Sequence, residues 1–187
     1  FTHAGIDAAL EIRSRGIDPA DIESIELGVP SPVLRTIAQP AEAKARPESG
    51  YHAAFSGPYT VAAALTGGGG LGLGHEDFTD AAAADEERLA LAAKVTCVAD
   101  ARADEIFPHQ FPAVLTVRLA DGTEQQARVD VNRGGPGNPL TSEELATKFT
   151  FNAEAVLDPA AAQELSRAVL ALPGADGLGP VMEMVRR

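Results

Sequence analysis

The sequence predicts an α+β domain in which helices cover a small antiparallel sheet. Three observations predict this class. Apolar residues alternate with polar or small ones along Ile22–Val29, which is the period of a half-buried strand. The segments Val114–Ala120 and Thr123–Val131 alternate in the same way around Asp121-Gly122, which indicates a β-hairpin with a type I′ turn. Helical segments do not alternate with strands as βαβ units, which argues against a parallel sheet.

Helix boundary signals predict three helices in the first hundred residues. Thr2 is placed to begin the first helix, and Gly16 is placed to end it. The sequence Ser-Gly-Pro predicts the start of a helix through Tyr59–Leu65, because proline in a first turn has no amide hydrogen to lose. The glycines of Gly67–Gly70 end that helix. Glu86–Lys94 has helical spacing of its apolar residues.

The remaining segments complete the predicted element order. Val95–Ala99 is predicted as a further strand, whereas Pro40–Gly50 is polar and is predicted as a loop. Thr141–Glu144 has the form of a capping box that opens a helix. Asp158-Pro159 opens a last clear helix, after which a linker leads to Val181–Met184, an apolar tail that we expect to need a partner surface.

The composition is that of an acidic globular chain. It has 187 residues, 45% of them hydrophobic, and a formal net charge of -12. This charge, with no basic cluster, argues against nucleic acid and anionic membranes as partners. No apolar stretch approaches the roughly 20 residues that span a bilayer. A single cysteine, Cys97, allows no internal disulfide and favours a cytoplasmic location; its strand context favours packing over nucleophilic chemistry.

Several common kinds of site are disfavoured by spacing. The four histidines, at positions 3, 52, 75 and 109, lack the short spacings of a metal site, so we expect no metal. No Gly-x-Ser-x-Gly element is present, which argues against a serine hydrolase. The glycine-rich Gly67–Gly74 lacks the Lys-Ser or Lys-Thr of a phosphate-binding loop, so a surface turn is favoured.

Two residues and one loop are candidates for function. His3 begins a helix, where backbone amides favour anions, and imidazole exchanges protons near neutral pH. Tyr59 begins another helix and is either a phenol donor to a carboxylate or an ordinary core tyrosine. The loop Asn132–Pro139, with Arg133, is either a structural turn or a surface that meets an anion.

Five segments, in order, resemble the C-terminal domain of the MmgE/PrpD family, which includes 2-methylcitrate dehydratases, cis-aconitate decarboxylases and iminodisuccinate epimerases. Each segment alone is a weak signal, and their order carries the resemblance across most of the chain. They are the start Phe-Thr-His-Ala, the strand Ile22–Val29, the helix Phe55-Ser56-x-x-Tyr59-x-Val-Ala-x-Ala-Leu65, the hairpin Val114–Val131, and Gly-x-x-x-Asn138-Pro139-Leu140-Thr141-x-x-Glu144-Leu145-x-x-Lys148-Phe149.

The resemblance implies a lid domain, at 1–150, that closes over a cleft in a large all-helical domain encoded ahead of it. The C-terminal segment, 151–187, would then pack on that missing helical domain, which belongs to the same or a separate chain. The family is typically homodimeric, needs no metal or organic cofactor, and acts on small substrates with two or three carboxylates. It implies a lyase or isomerase, such as a dehydratase, with His3 and Tyr59 as catalytic residues.

One departure bears on the substrate. Many family members carry a basic residue where Ala54 stands, so one charge partner is absent. We expect the chain to be part of a longer protein and to be inactive alone, because acids, bases and carboxylate anchors would lie in the helical domain. The alternative is a binding or dimerisation module that kept the fold without the chemistry. The sequence does not choose among dehydration, decarboxylation and epimerisation.

Overall fold

The computed structural model describes residues 1–186, which fall into two compact units. The first unit is Phe1–Pro139, and the second begins at Leu140. The division thus lies before the helix Ser142–Ala153, whereas the predicted domain boundary after residue 150 falls within that helix. In residues 1–186, no helix has both the length and the apolar character needed to cross a lipid bilayer.

The first unit is built on a four-stranded sheet with the order β2-β1-β3-β4. The strands are β1 (Ile22–Val29), β2 (Val95–Ala99), β3 (Ala113–Leu119) and β4 (Glu124–Val129). The predicted α+β class is confirmed. The sheet is mixed, however, because β1 and β2 run parallel while the other two pairs are antiparallel. A parallel pair needs a long crossover, and the helices between β1 and β2 provide it. The alternation within a strand carries no information about its direction.

The first unit contains eight α-helices. They are α1 (His3–Ser14), α2 (Ser31–Ile37), α3 (Ala41–Ala45), α4 (Gly50–Ala53), α5 (Gly57–Thr66), α6 (Asp80–Ala83), α7 (Glu86–Ala92) and α8 (Ala101–Ile106). The predicted loop from Pro40 to Gly50 is wrong in part, since α3 lies within it. The alanine-rich sequence after Pro40 consists of strong helix formers.

Helices α1 and α5 form the centre of the core with the sheet. α5 contacts α1, α3, α7 and β2, and its residues from Gly57 to Leu65 are all buried. α1 buries one face, which includes Ala8 and Ile12, and contacts β3 and β4. An all-round apolar helix such as α5 is stable only when other elements surround it. α1 packs against this buried helix, and its first residue, His3, is exposed.

The hairpin between β3 and β4 is confirmed, but its turn differs from the type I′ prediction. Gly122 has a φ of 85°, whereas no described residue other than glycine has a positive φ. A type I′ turn requires positive φ at both central residues, so Asp121 excludes it. Leu119 instead donates to the Thr123 carbonyl at 2.8 Å and accepts from the Gly122 amide at 2.9 Å. This is a longer loop with glycine in the left-handed position.

In its described residues, 140–186, the second unit contains three α-helices, α9 (Ser142–Ala153), α10 (Pro159–Leu170) and α11 (Gly179–Met184). The predicted capping box is confirmed: Glu144 donates its backbone amide to the Thr141 hydroxyl at 3.1 Å, and its carboxylate accepts from the Thr141 amide at 2.8 Å. In α10 Leu165 is buried, whereas Val169 is 42% exposed. Most of the apolar side chains of α11 are exposed within this unit.

Candidate functional site

The predicted site residue His3 lies on the surface at the first position of α1. It lines an open concavity of about 250 Å³ together with Phe1, Ala4, Phe111 and Asn132. These residues come from the start of the chain, the segment before β3 and the loop after β4. The fold thus brings three distant parts of the sequence around one exposed imidazole.

One side of this concavity is aromatic. The ring centroids of Phe1 and Phe111 are 5.4 Å apart, and Phe111 lies 5.6 Å from Phe107 in an edge-on arrangement. Phe1 and Phe111 are 52% and 38% exposed, so both present apolar surface to the opening. Aromatic pairs of this spacing hold one another in place. The wall beside His3 is therefore apolar and ordered by its own contacts.

The start of α1 gives the concavity a preference for negative charge. Thr2 occupies the N-cap position, as predicted, but its side chain makes no capping hydrogen bond. The first amides of a helix have no carbonyl partner within the helix, and its dipole is positive at this end. Among residues 1–186, the polar side chains that line the concavity are His3 and Asn132. An anionic ligand beside His3 would meet a helix start, an imidazole and an amide.

The loop after β4 is tied to α1 by an ion pair. Arg133 donates from Nε and Nη2 to Oδ1 of Asp7, at 2.9 and 2.5 Å, and Nη2 also donates to the Leu71 carbonyl at 2.6 Å. The sequence offered two interpretations of Arg133, a structural turn and an anion contact. The guanidinium binds a carboxylate of the protein itself, which favours the structural interpretation.

The other predicted site residue, Tyr59, lies inside the fold. It is 0% exposed, and its hydroxyl donates to the Asp77 carbonyl at 2.6 Å and accepts from Arg88 at 3.0 Å. Tyr59 packs in a small core cluster with Phe78 and is not among the residues that line the His3 concavity. The geometry does not bring His3 and Tyr59 together around one opening. The predicted catalytic role of Tyr59 stays a prediction.

The glycine-rich segment forms a turn next to a second concavity of about 240 Å³. Gly69 and Gly72 exchange backbone hydrogen bonds of 2.7 and 2.9 Å. Arg13 lies at the same opening, and its guanidinium donates to the carbonyls of Ala64 and Gly67 at the end of α5. A cation that binds the unpaired carbonyls of a helix end stabilises that end. The surroundings of this segment therefore agree with the predicted surface turn.

Phe111 and Asn132 are the lining residues that the sequence analysis did not assign to the His3 site. Asn132 belongs to a loop that the sequence singled out, but its position beside His3 depends on the contact between that loop and α1. Phe111 precedes β3 in a Phe-Pro pair, which carries no signal of a site. In the described part of the chain, no group of three or more His, Cys, Asp or Glu side chains is arranged to hold a metal ion.

The chain has no significant match among the curated proteins with which it was compared. A model of the MmgE/PrpD C-terminal domain matches residues 1–173, which is most of the 187-residue chain. This range contains the whole first unit, with His3, Tyr59 and the loop of Asn132, and the first two helices of the second. The chain belongs to the MmgE/PrpD family and carries its C-terminal domain.

Proposed function

We propose that this domain is the lid of a cofactor-independent lyase or isomerase that acts on small di- or tricarboxylates. In this proposal His3 is the proton carrier, and the lid forms one wall of a cleft whose other wall is a helical domain. The observation that carries the proposal is the exposed imidazole at the start of α1, in a concavity whose other polar side chain, among the described residues, is Asn132.

The chemistry that suits this arrangement is proton transfer beside a carboxylate. Loss of water, loss of carbon dioxide and inversion at carbon each develop negative charge next to a carboxylate group. A neutral imidazole accepts a proton from carbon or water, and its protonated form returns one. The start of α1 and an amide donor stabilise negative charge at the reacting group. The choice among the three reactions depends on contacts in the other wall.

The proposal requires groups from outside the chain. Within residues 1–186, the concavity is lined by no arginine or lysine, although a substrate with two or three carboxylates needs positive partners. Those partners would come from the helical domain, and catalysis requires both sets in one geometry. We therefore expect the isolated chain to be inactive. A homodimer and a cytoplasmic location are part of the same proposal.

A panel of acids tests the proposal on the full protein, in which the chain is joined to its helical domain. Citrate-like, aconitate-like and aspartate-derived acids are supplied, and turnover is followed by product analysis. We expect one acid to be turned over and His3→Ala to lower kcat by about 100-fold or more, the size of a general acid–base contribution. His75→Ala is the control, because His75 is also exposed but does not line the concavity.

Two results would contradict the proposal. Normal kcat in the folded His3→Ala protein would remove this histidine from the mechanism. An absence of turnover with every acid would favour the alternative of a non-catalytic binding or dimerisation module. A stable homodimer does not separate the two, because both expect one. Light scattering of the same samples measures the homodimer directly.

A further inference from the structure

Asn132 and Arg133 are neighbours in sequence, yet their side chains line different concavities. Asn132 lines the one that contains His3, and Arg133 lines the one beside the glycine-rich turn. Their loop follows β4 and contains a turn closed by bonds between Gly134 and Asn138 and between Asn138 and Gly135. The orientation of Asn132 therefore depends on where Arg133 is held.

Arg133 is held by α1, the helix that begins with His3. Its guanidinium makes two hydrogen bonds to Asp7 Oδ1, and its backbone amide donates to Oδ2 at 3.4 Å. The Asp7 side chain is 15% exposed and that of Arg133 is 32% exposed, so water screens the pair less than a surface pair. Asp7 is four residues after His3, on the same side of the helix. The ion pair thus fixes the loop to the helix one turn away from the imidazole.

Asn132, which lines the concavity, keeps hydrogen-bonding capacity. Its half-buried side chain donates from Nδ2 to the Arg133 carbonyl at 3.2 Å. A side-chain amide has two N–H donors and one oxygen acceptor, so further bonds are available to a ligand. A neutral donor also suits a carboxylate that is next to a proton carrier, because it binds the anion without competing as a base.

We propose that Asn132 is a substrate-binding residue of the His3 site, which donates a hydrogen bond to a substrate carboxylate, and that Asp7 and Arg133 are the pair that positions it. This inference rests on the proposed function. It assigns to the ion pair between α1 and the loop a role in the affinity for substrate, in addition to its role in the fold.

Steady-state kinetics of the full protein with its best acid test the binding role. Asn132→Asp keeps the shape of the side chain but places a negative charge beside the substrate carboxylate. We expect KM to rise by about 10-fold or more with a smaller change in kcat, since one hydrogen bond to a charged group is lost. Asn152→Asp, an exposed change of the same kind outside this loop, is the matched control.

A double-mutant cycle tests the positioning pair. Asp7→Asn and Arg133→Gln should each raise KM, and the double variant should raise it no further than the larger single effect, because either change breaks the same contact. Arg118→Gln, which breaks the exposed pair with Glu124, should leave KM unchanged. Thermal unfolding of every variant verifies that the measurements are made on folded protein.

The outcomes separate this inference from the proposed function. Turnover with unchanged KM in folded Asn132→Asp overturns the inference and leaves the proposed function standing. Additive effects of the two single variants overturn the positioning role alone. An absence of turnover by the unaltered protein with every acid overturns the proposed function and the inference together.

Discussion

The hydroxyl of Tyr59 accepts a hydrogen bond from Nη1 of Arg88 at 3.0 Å, and the guanidinium carbon lies 5.7 Å from the centre of the tyrosine ring. Arg88 also pairs with the Asp77 carboxylate at 3.2 Å, with the two side chains 16% and 9% exposed. Burial lowers the pKa of Arg88, but its bonds and charge interactions with Tyr59 and Asp77 outweigh that effect and raise the pKa. The three residues attach the segment after the glycine-rich turn to α5 and α7.

Tyr59→Phe is expected to destabilise the fold. The change removes the donor to the Asp77 carbonyl and one acceptor for Arg88, and both partners lie in a largely buried cluster. Leaving buried polar groups without a partner costs about 1–3 kcal/mol of unfolding free energy. Urea denaturation measures the loss. Tyr51→Phe is the control, since Tyr51 is 73% exposed and the same change there should cost under about 0.5 kcal/mol.

The same variant decides the catalytic prediction for Tyr59. If the hydroxyl has only the structural role, kcat of the folded full protein should change little at temperatures well below unfolding. A fall of about 100-fold in folded Tyr59→Phe would instead support a catalytic phenol. In that case the hydroxyl would have to leave the Asp77 carbonyl to reach a substrate.

Local signals predicted the elements that depend on local physics. The alternation along β3 and β4 and the Ser-Gly-Pro start of α5 are both set by neighbours in sequence, and both are confirmed. The direction of β2 depends on the path of a long crossover, which no pattern within Val95–Ala99 encodes. The predicted turn type at Asp121-Gly122 is wrong because an Asp-Gly pair occurs in hairpin loops of two different lengths.

The candidate site was predicted in part for a related reason. His3 carries two local signals, a helix start and an imidazole, and both follow from the sequence. The position of Asn132 beside it depends on the ion pair between Asp7 and Arg133, which are 126 residues apart. Likewise, the burial of Tyr59 depends on how α5 is surrounded by other elements. Spacing along the chain predicts neither the position of Asn132 nor the burial of Tyr59, because both depend on tertiary packing.

Gly50→Ala is expected to be among the most damaging small changes in the first unit. A Cβ at this position would lie 1.7 Å from the Phe78 carbonyl oxygen and 2.4 Å from its carbon, so backbone would have to move. The Gly50 amide also donates to Asp80 at 2.9 Å, which holds the two segments together. We expect a loss of about 3 kcal/mol, at the upper end of overpacking costs, measured by urea denaturation.

The matched control for that change is Gly135→Ala. The nearest atom to a Cβ at Gly135 is the backbone carbonyl oxygen of Asn132 at 3.8 Å, which is an ordinary van der Waals distance. We expect its unfolding free energy to stay within about 0.5 kcal/mol of the unaltered protein. Equal stability of the two variants would contradict the close approach of Gly50 to Phe78.

Asp100→Asn should reduce stability in a pH-dependent way. Asp100 caps α8 through the Ala103 amide at 2.8 Å and accepts two hydrogen bonds from Arg128 at 3.0 and 2.9 Å. The hydrogen bonds from Arg128 are the main reason why the pKa of Asp100 lies below its ordinary value of 3.8. The pKa of Asp100 is lower in the folded protein than in the unfolded chain. This stabilisation is therefore complete above about pH 4, and it is lost as the pH falls through the pKa of Asp100 in the folded protein.

Asparagine still caps α8, so the change removes mainly the charge that pairs with Arg128, and the expected difference at pH 7 is about 0.5–1 kcal/mol. It should shrink as the pH is lowered below about 4, as measured by urea denaturation across a pH series. Asp176→Asn, at an exposed position in the second unit, is the control for the loss of one charge. A difference that grows toward acid pH would contradict the assigned contacts.

Cys97 should react slowly with iodoacetamide in the folded protein. Its half-buried thiol lies on β2 opposite Leu27, and burial raises its pKa to about 11. The thiolate is the reactive form, and at pH 7 only about one thiol in 10,000 would carry the charge. The labelling rate should therefore rise about tenfold per pH unit from pH 7 to 9, while protein unfolded in urea reacts faster at every pH. Rapid, pH-independent labelling of folded protein would contradict a packing role and favour the nucleophilic interpretation, because only a stabilised thiolate reacts at neutral pH.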